Sequence, residues 1–338
     1  MTLFGTFDPS IANSKTTYGD GKSVSNNAVR NNSQGTSQIS VKGVEDLGGG
    51  LKASFMLEND FDTRYDARGG MGSVAGVNGV NLGSGGGEQY LGLEGGFGSL
   101  KVGAANTPTL TVQASRQPFS TKIGGGFNGV TGTGHVRSNN SIVYATPVFS
   151  GFSLAAAYGF KSNAVPASTP SMQAQTNTGA ADTTGLNTVD QTGISDLGVN
   201  YANGPVAAGL SQWTTAALGA TPKVVQNNAF ASYNLGVATL IAGMHTEKQG
   251  TTVNATGYNI AAVVPMSANM NLLANYGKLN DKMVANKDKT IAAVGVKYTL
   301  SARSSLYARY VDEKNDNVTS ATSAKAVKTA LIGMQHNF

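Results

Sequence analysis

The sequence predicts an all-β chain of sixteen antiparallel strands closed into a transmembrane barrel, with short turns at one rim and long loops at the other. Three observations carry this. Sixteen segments read as strands, most of them alternating apolar and polar residues with period two, which places one face in oil and the other in water. The connections alternate in length, short then long; a β-sandwich has no reason to keep that order. No run approaches the ~18 apolar residues a membrane helix needs, and residues 260–264 are among the longest apolar runs.

Composition sets bounds. The 338 residues include no cysteine, which excludes disulfides and thiolate metal sites. Charged residues are 13%, against roughly 25% in soluble domains. Mean hydropathy is only −0.13, because Asn, Thr, Ser and Gln supply the polarity. Glycine is abundant, at 44 residues. Composition alone also fits a soluble β-sandwich or a solenoid. The net charge is +5. Nucleic-acid binders cluster Lys and Arg with aromatics on one face, whereas here the basic residues are scattered singly, so no nucleic-acid partner is expected. The strand pattern begins at Thr2 with no signal peptide before Met1. An exported protein must have carried one, so a mature chain with an added start Met is expected.

The first strand is read over residues 2–11, followed by 37–45 and 51–61. In the third, Leu51, Ala53, Phe55 and Leu57 alternate with Lys52, Ser54, Met56 and Glu58, the clearest alternation in the chain. Strands at 89–95, 99–105, 140–147 and 152–160 follow, then 193–201, 206–213, 228–235, 237–245, 256–264, 271–279, 290–300 and 305–312. The closing strand sets Ala330, Ile332, Met334, His336 and Phe338 on one face and Thr329, Gly333, Gln335 and Asn337 on the other, with Leu331 an exception. Long connections fall at residues 13–35, 62–87, 106–139 and 161–192, with shorter ones after Trp213, Thr246, Asn280 and Glu313. Most prolines sit in connections or at strand ends, as a hydrogen-bonded ladder requires; Pro9 does not fit.

Several stretches resemble the general porins of β-proteobacteria. These are TLFGTFD at the start, VKGVEDLGGGLKASFMLE from Val41, YLGLEGGFGSLKVG from Tyr90, NNSIVYATPVFSGF from Asn139 and GVKYTLSARSSLYARY from Gly295. The ending with Phe338, and His336 two places before it, resembles the last strand of Gram-negative outer-membrane barrels, Neisseria porins included. The resemblance implies one porin domain over residues 1–338. It implies a homotrimer in outer-membrane lipid and lipopolysaccharide, passing small hydrophilic solutes, and a third loop (about 106–139) folded inward to narrow the channel. The chain departs from that family at the constriction. Where arginines usually line the wall it has Gln38, Ala104 and Val143. Residues 95–181 hold no Asp or Glu but carry Lys101, Arg116, Lys122, Arg137 and Lys161, with His135.

Arg116, Lys122 and Arg137 are therefore candidates for an electropositive constriction, where a few cations in a narrow, low-dielectric pore raise the local anion concentration. They would otherwise point outward, toward other loops or lipopolysaccharide. Lys42, Lys52, Lys101, Lys297 and Arg309 fall on the polar parity of their strands, with Asp8, Glu58 and Glu94. A charge on the lipid face costs ~2–4 kcal/mol at the midplane, so the lumen is their expected home, either setting selectivity or bracing the wall as ion pairs. Tyr90, Tyr158, Tyr201, Tyr276, Tyr298 and Phe338 lie near strand ends, either as interfacial girdles or as ordinary strand packing. Gly124, Gly126 and Gly129 match GxGxxG without a strand-to-helix unit, so a bent loop is the simpler account. Acidic clusters at Glu58, Asp60, Asp62 and Asp66, and at Asp312, Glu313 and Asp316, are either Ca²⁺ ligands at the rim or solvated loops. No GxSxG motif or nucleophile–base pair is present, and the histidines lack metal-ligand spacing. The expected function is passive diffusion of small polar solutes with anion preference, without catalysis or a cofactor; the alternative is a substrate-selective channel for small organic anions.

Overall fold

Backbone amides inside a bilayer have no water to bond, so alternating strands must close on themselves. The computed structural model describes residues 1–64, 86–125, 137–161, 193–217, 221–283 and 287–338. The first segments are β1 (Thr2–Phe7), β2 (Pro9–Tyr18), β3 (Ser23–Asn31), β4 (Gln38–Gly48), β5 (Leu51–Asp60), β6 (Gln89–Gly95) and β7 (Gly98–Ala104). Helix α1 (Pro108–Ser115) follows, then β8 (Ser141–Ala145), β9 (Phe152–Gly159), β10 (Ile194–Asn203), β11 (Val206–Thr215) and β12 (Val224–Asn234). The last are β13 (Thr239–Gln249), β14 (Val253–Ser267), β15 (Met270–Asp281), β16 (Lys289–Thr299), β17 (Ser304–Asn315) and β18 (Ala324–Asn337).

All described pairings are antiparallel. β1 and β2 both pair with β18 and form one strand broken at Asp8. Opposite them, β4 pairs with β1 and β3 with β2, so β3 and β4 form a second strand interrupted over residues 32–37. Counted this way, the eighteen segments make a closed sixteen-stranded barrel. The seam is sealed by reciprocal bonds between Gly5 and Phe338, with N···O distances of 3.1 and 3.0 Å.

The two faces separate as the alternation requires. Leu91, Leu210, Ile260 and Ile332 stand exposed on the outer face, while Ser40, Ser54, Ser211, Asn228, Asn259 and Asn275 are buried on the inner one. Leu331 keeps lumen parity but packs with Ala12 and Tyr307, with Ile123 of the third loop laid over them. Its departure from the pattern marks a patch of inner wall that the loop keeps dry. Tyr158, Tyr276, Tyr298 and Phe338 are exposed, and Tyr201 packs on Phe152 at 4.6 Å between ring centres. Tyr90 faces the lumen instead, under the Lys101 ammonium at 4.3 Å.

The expected outer loop at residues 13–35 is corrected. It is a hairpin of β2 and β3 turning at residues 19–22. Its ladder is intact, with Asn13 donating to Asn27 at 2.7 Å and Thr17 2.8 Å from Ser23. Where a strand rises clear of lipid neither face needs apolar residues, so period two fades while the backbone pairing persists. For the same reason β13, β15 and β17 run past their expected ends, to Gln249, Asp281 and Asn315. Pro9 opens β2 just after the break at Asp8, and Pro265 sits at a register shift between β14 and β15, both sites where a missing N–H is tolerated. Helix α1 was not foreseen, although Thr107-Pro108 carries its start signal: the Thr107 side chain accepts from Leu110 N, and Pro108 occupies the first turn. The 162–192 connection and most of the 62–87 connection lie outside the described residues.

At Gly5 a Cβ would collide with Gln38 O and Phe338 Cζ. Overpacking of this kind costs roughly 1–3 kcal/mol. Gly5→Val is therefore expected to lower the yield of closed barrel, read as the fraction of unboiled protein migrating as the compact form on SDS gels.

Candidate functional site

The chain leaving β7 turns into the barrel and is docked on the inner wall by polar side chains. Asp196 of β10, fully buried, accepts from Thr109 N at 2.8 Å and from Thr109 Oγ1 at 2.6 Å. Thr109 Oγ1 also lies 2.9 Å from Ser211 Oγ of β11. Gln113 donates to Asn228 Oδ1 of β12 at 3.3 Å, and the same oxygen is 2.8 Å from Nδ1 of buried His245 on β13. Asn259 of β14 donates to Arg116 O at 2.6 Å, and Asn275 of β15 to Gly124 O at 3.0 Å. Wall carboxamides thus satisfy loop carbonyls that would otherwise be buried without partners.

Beyond α1 the attachment becomes apolar. Phe119 is buried against Leu273, Ile291, Ala293 and Val311, with Ile123 beside it. These wall residues keep lumen parity yet meet loop rather than water. Arg309 joins the two regimes. Its guanidinium stacks 4.8 Å from the Phe119 ring and donates to Ile123 O at 2.8 Å and to Ser33 O.

Ser33 belongs to the interruption between β3 and β4, which bends into the lumen. Asp8, fully buried, holds it: one carboxylate oxygen accepts from Gln34 N at 2.5 Å and Gly35 N at 2.7 Å, and the other from Tyr307 OH at 2.5 Å. Gln34 Nε2 donates to Ser305 and Gln335, both at 2.9 Å. Lys122, from the third loop, donates to Thr36 Oγ1 at 2.6 Å. The inward bend and the loop tip therefore meet in the water column.

The candidates fall in three places. Lys122, Asp8 and Arg309 come together at this junction. Arg137 stands nearby at the return of the loop, 3.8 Å from Asp60 and donating to Asn106 at 3.0 Å. Glu58, beside Asp60, accepts from Glu88 N and from Gln38 Nε2, each at 2.6 Å. Lys42, Lys52, Glu94, Lys101 and Lys297 lie on inner parity toward the short-turn rim. Lys42 rests over the Phe4 ring at 5.1 Å, and Glu94 accepts from Ser54 at 2.9 Å. Lys52 is opposite Glu94 in register, but no ion pair among the described residues joins these strand cations to Asp8, Glu58 or Glu94. Arg116 has no accessible surface; it lies between α1 and the wall, with Nη1 3.2 Å from Asn228 Oδ1. His135, Gly126, Gly129 and Asp66 lie outside the described residues. Among those described, no grouping of acids and histidines has metal-site geometry.

Burial draws the Lys122 ammonium below the ordinary lysine value, while Asp60 and Asp8 push it back up. Asp62 at the rim is held below the usual carboxylate range, chiefly by its hydrogen bond from Arg64. Sequence reasoning missed Asp196, Asn228, Asn259 and Asn275. Their signal was a polar residue at inner parity in each of β10, β12, β14 and β15. Asp196→Ala would orphan Thr109 N and leave Thr109 Oγ1 only Ser211, a loss of roughly 1–3 kcal/mol. The loop is then expected to fluctuate, read as increased open-channel noise in single-channel recordings.

The chain matches the family described as Gram-negative porin over residues 1–318. Among named relatives, outer membrane porin protein 32 of Delftia acidovorans is 31% identical across 97% of this chain and 88% of its own. The solved structure of an anion-selective porin from Comamonas acidovorans superposes with a TM-score of 0.75 at 25% identity, covering 100% of this chain and 99% of that one. A trimer form of OmpT from Vibrio cholerae shares the fold, with a TM-score of 0.68 at 15% identity, over 100% and 98% of the two chains. The closed sixteen-stranded barrel thus agrees with the sequence match: this chain belongs to the Gram-negative porin family of the outer membrane.

Proposed function

We propose that the lumen prefers anions among the small hydrophilic solutes that diffuse through it. One observation carries the reading. At the narrow part, the carboxylates of Asp8 and Glu58 are engaged by backbone amides and neighbouring side chains. The half-buried Lys122 and Arg137 stand there on a loop without acids, two cations against the one carboxylate of Asp60, 3.8 Å from Arg137. Low-dielectric walls focus the field of such cations along the path of a solute. Lys42, Lys101 and Lys297 extend the same sign toward the short-turn rim. Arg116, sealed behind α1, acts on the column only through its field. The likeness to a Comamonas acidovorans porin described as anion-selective supports this assignment.

Reversal potential across a planar bilayer in a KCl gradient tests it; a cation-selective sign overturns it. Lys122→Gln with Arg137→Gln is expected to lower the anion-to-cation permeability ratio by roughly twofold or more. Because Lys122 sits below the ordinary lysine value, it loses its charge earlier as pH rises. Anion preference should therefore begin to fall at lower pH in the native channel than in Lys122→Arg, measured as reversal potential through an alkaline series.

The same reading makes the assembly a homotrimer, with outer faces in lipid and rim loops against lipopolysaccharide. The trimer form of a porin with this fold supports it. Light scattering of the detergent-extracted protein is expected to give three chains per particle, and one chain would refute it.

A further inference from the structure

On the loop side of the junction between residues 32–37 and Lys122 lies a polar pocket of about 360 Å³. The end of β3 forms one side with Arg30 and Asn31, continued into the inward bend by Asn32, the third loop another with Lys122, and β17 a third with Glu313. Arg30 and Lys289 lie within electrostatic range of Glu313. Even so, neither Arg30 nor Glu313 makes a side-chain hydrogen bond or contact ion pair among the described residues. Unlike charges thus face each other across a gap without closing it. Lys122 uses one donor on Thr36, and an ammonium carries three.

We propose that this pocket is a binding subsite for small zwitterions of the α-amino acid type, met by the solute before the narrowest point. The carboxylate sits between Arg30 and Lys122, the ammonium faces Glu313, and the Asn32 amide nitrogen, whose oxygen accepts from Ser37 N, is the remaining donor at the rim of the pocket. A simple carboxylate leaves Glu313 unpaired and is repelled by it; a simple amine meets two cations. The volume lies at the small end of ligand sites, enough for a compact solute with some of its water. The β2–β3 ladder places Arg30, and the bend latched by Asp8 brings Lys122 to the same cavity through Thr36. This inference rests on the diffusion reading above and adds a solute class to it.

The test uses the intact channel in planar bilayers, with L-glutamine, propionate or propylammonium added on the long-loop side in KCl. L-glutamine is expected to reduce the current saturably, at a half-blocking concentration about fivefold below that of either single-charge probe, the discrimination one partly screened ion pair supplies. Glu313→Gln should remove that difference and leave propionate block no weaker. Glu313→Asp, which keeps the charge, should retain it. Arg30→Gln should weaken block by glutamine and propionate alike. Block that does not saturate, or equal block by glutamine and propionate, overturns the proposal. So does a half-blocking glutamine concentration that Glu313→Gln leaves unchanged. The KCl reversal potential of the same membranes reads ion preference separately, so a cation-selective sign with saturable glutamine block would sink that reading and spare this one.

Discussion

One buried carboxylate organises the narrow part of this channel. Asp8 interrupts the first strand, and its two oxygens collect Gln34 N, Gly35 N and the Tyr307 hydroxyl. A charge without accessible surface persists only when hydrogen bonds replace its hydration. Here those bonds come from the chain on either side of it, one stretch of which is drawn out of the sheet to reach it. Without the carboxylate, Gln34 N and Gly35 N would lose their acceptor and the inward course of residues 32–37 would be weakened. Arg309 would then lose Ser33 O and Lys122 would lose Thr36.

The third loop obeys a related rule by different means. It lies on the wall from β10 around to β2, polar at the start and apolar at the end. The early part, α1 and its flanks, carries buried backbone groups, so carboxamides meet it. The later part presents Phe119 and Ile123, so Val311, Ile291, Leu331 and Ala12 meet it. The inner wall is therefore not uniformly wet, and its composition records what covers each patch.

That explains how much could be read in advance. Strand number, sidedness and closure were legible, because lipid imposes period two on every membrane-spanning segment and Phe338 stands at the seam. The β2–β3 hairpin was not, because Asn, Ser and Thr on both faces look like a loop when no apolar face is required. Lys122 and Arg137 could be named from an acid-free stretch, but burial of Arg116 depended on α1, whose only local trace was Thr107-Pro108. The role of Asp8 was illegible: its partners at Gln34, Gly35 and Tyr307 are far from it in sequence, and a lone aspartate on lumen parity looks like any other. Leu331 was visible as an anomaly, and its cause lay at Ile123, in a distant part of the chain.

The dry packing around Phe119 has a consequence for how the channel conducts. Among the described residues, loop packed on the arc from β10 to β2 takes up that side of the cross-section. A solute travels along a lopsided corridor rather than down a central bore. Its rigid bank is sealed like a protein interior, while Lys42 and Lys52 on the opposite wall are exposed. Substitutions of equal size on the two banks are thus inequivalent: at exposed Lys42 or Lys52 they trim the corridor directly, and on the sealed bank they must first displace a packed aromatic.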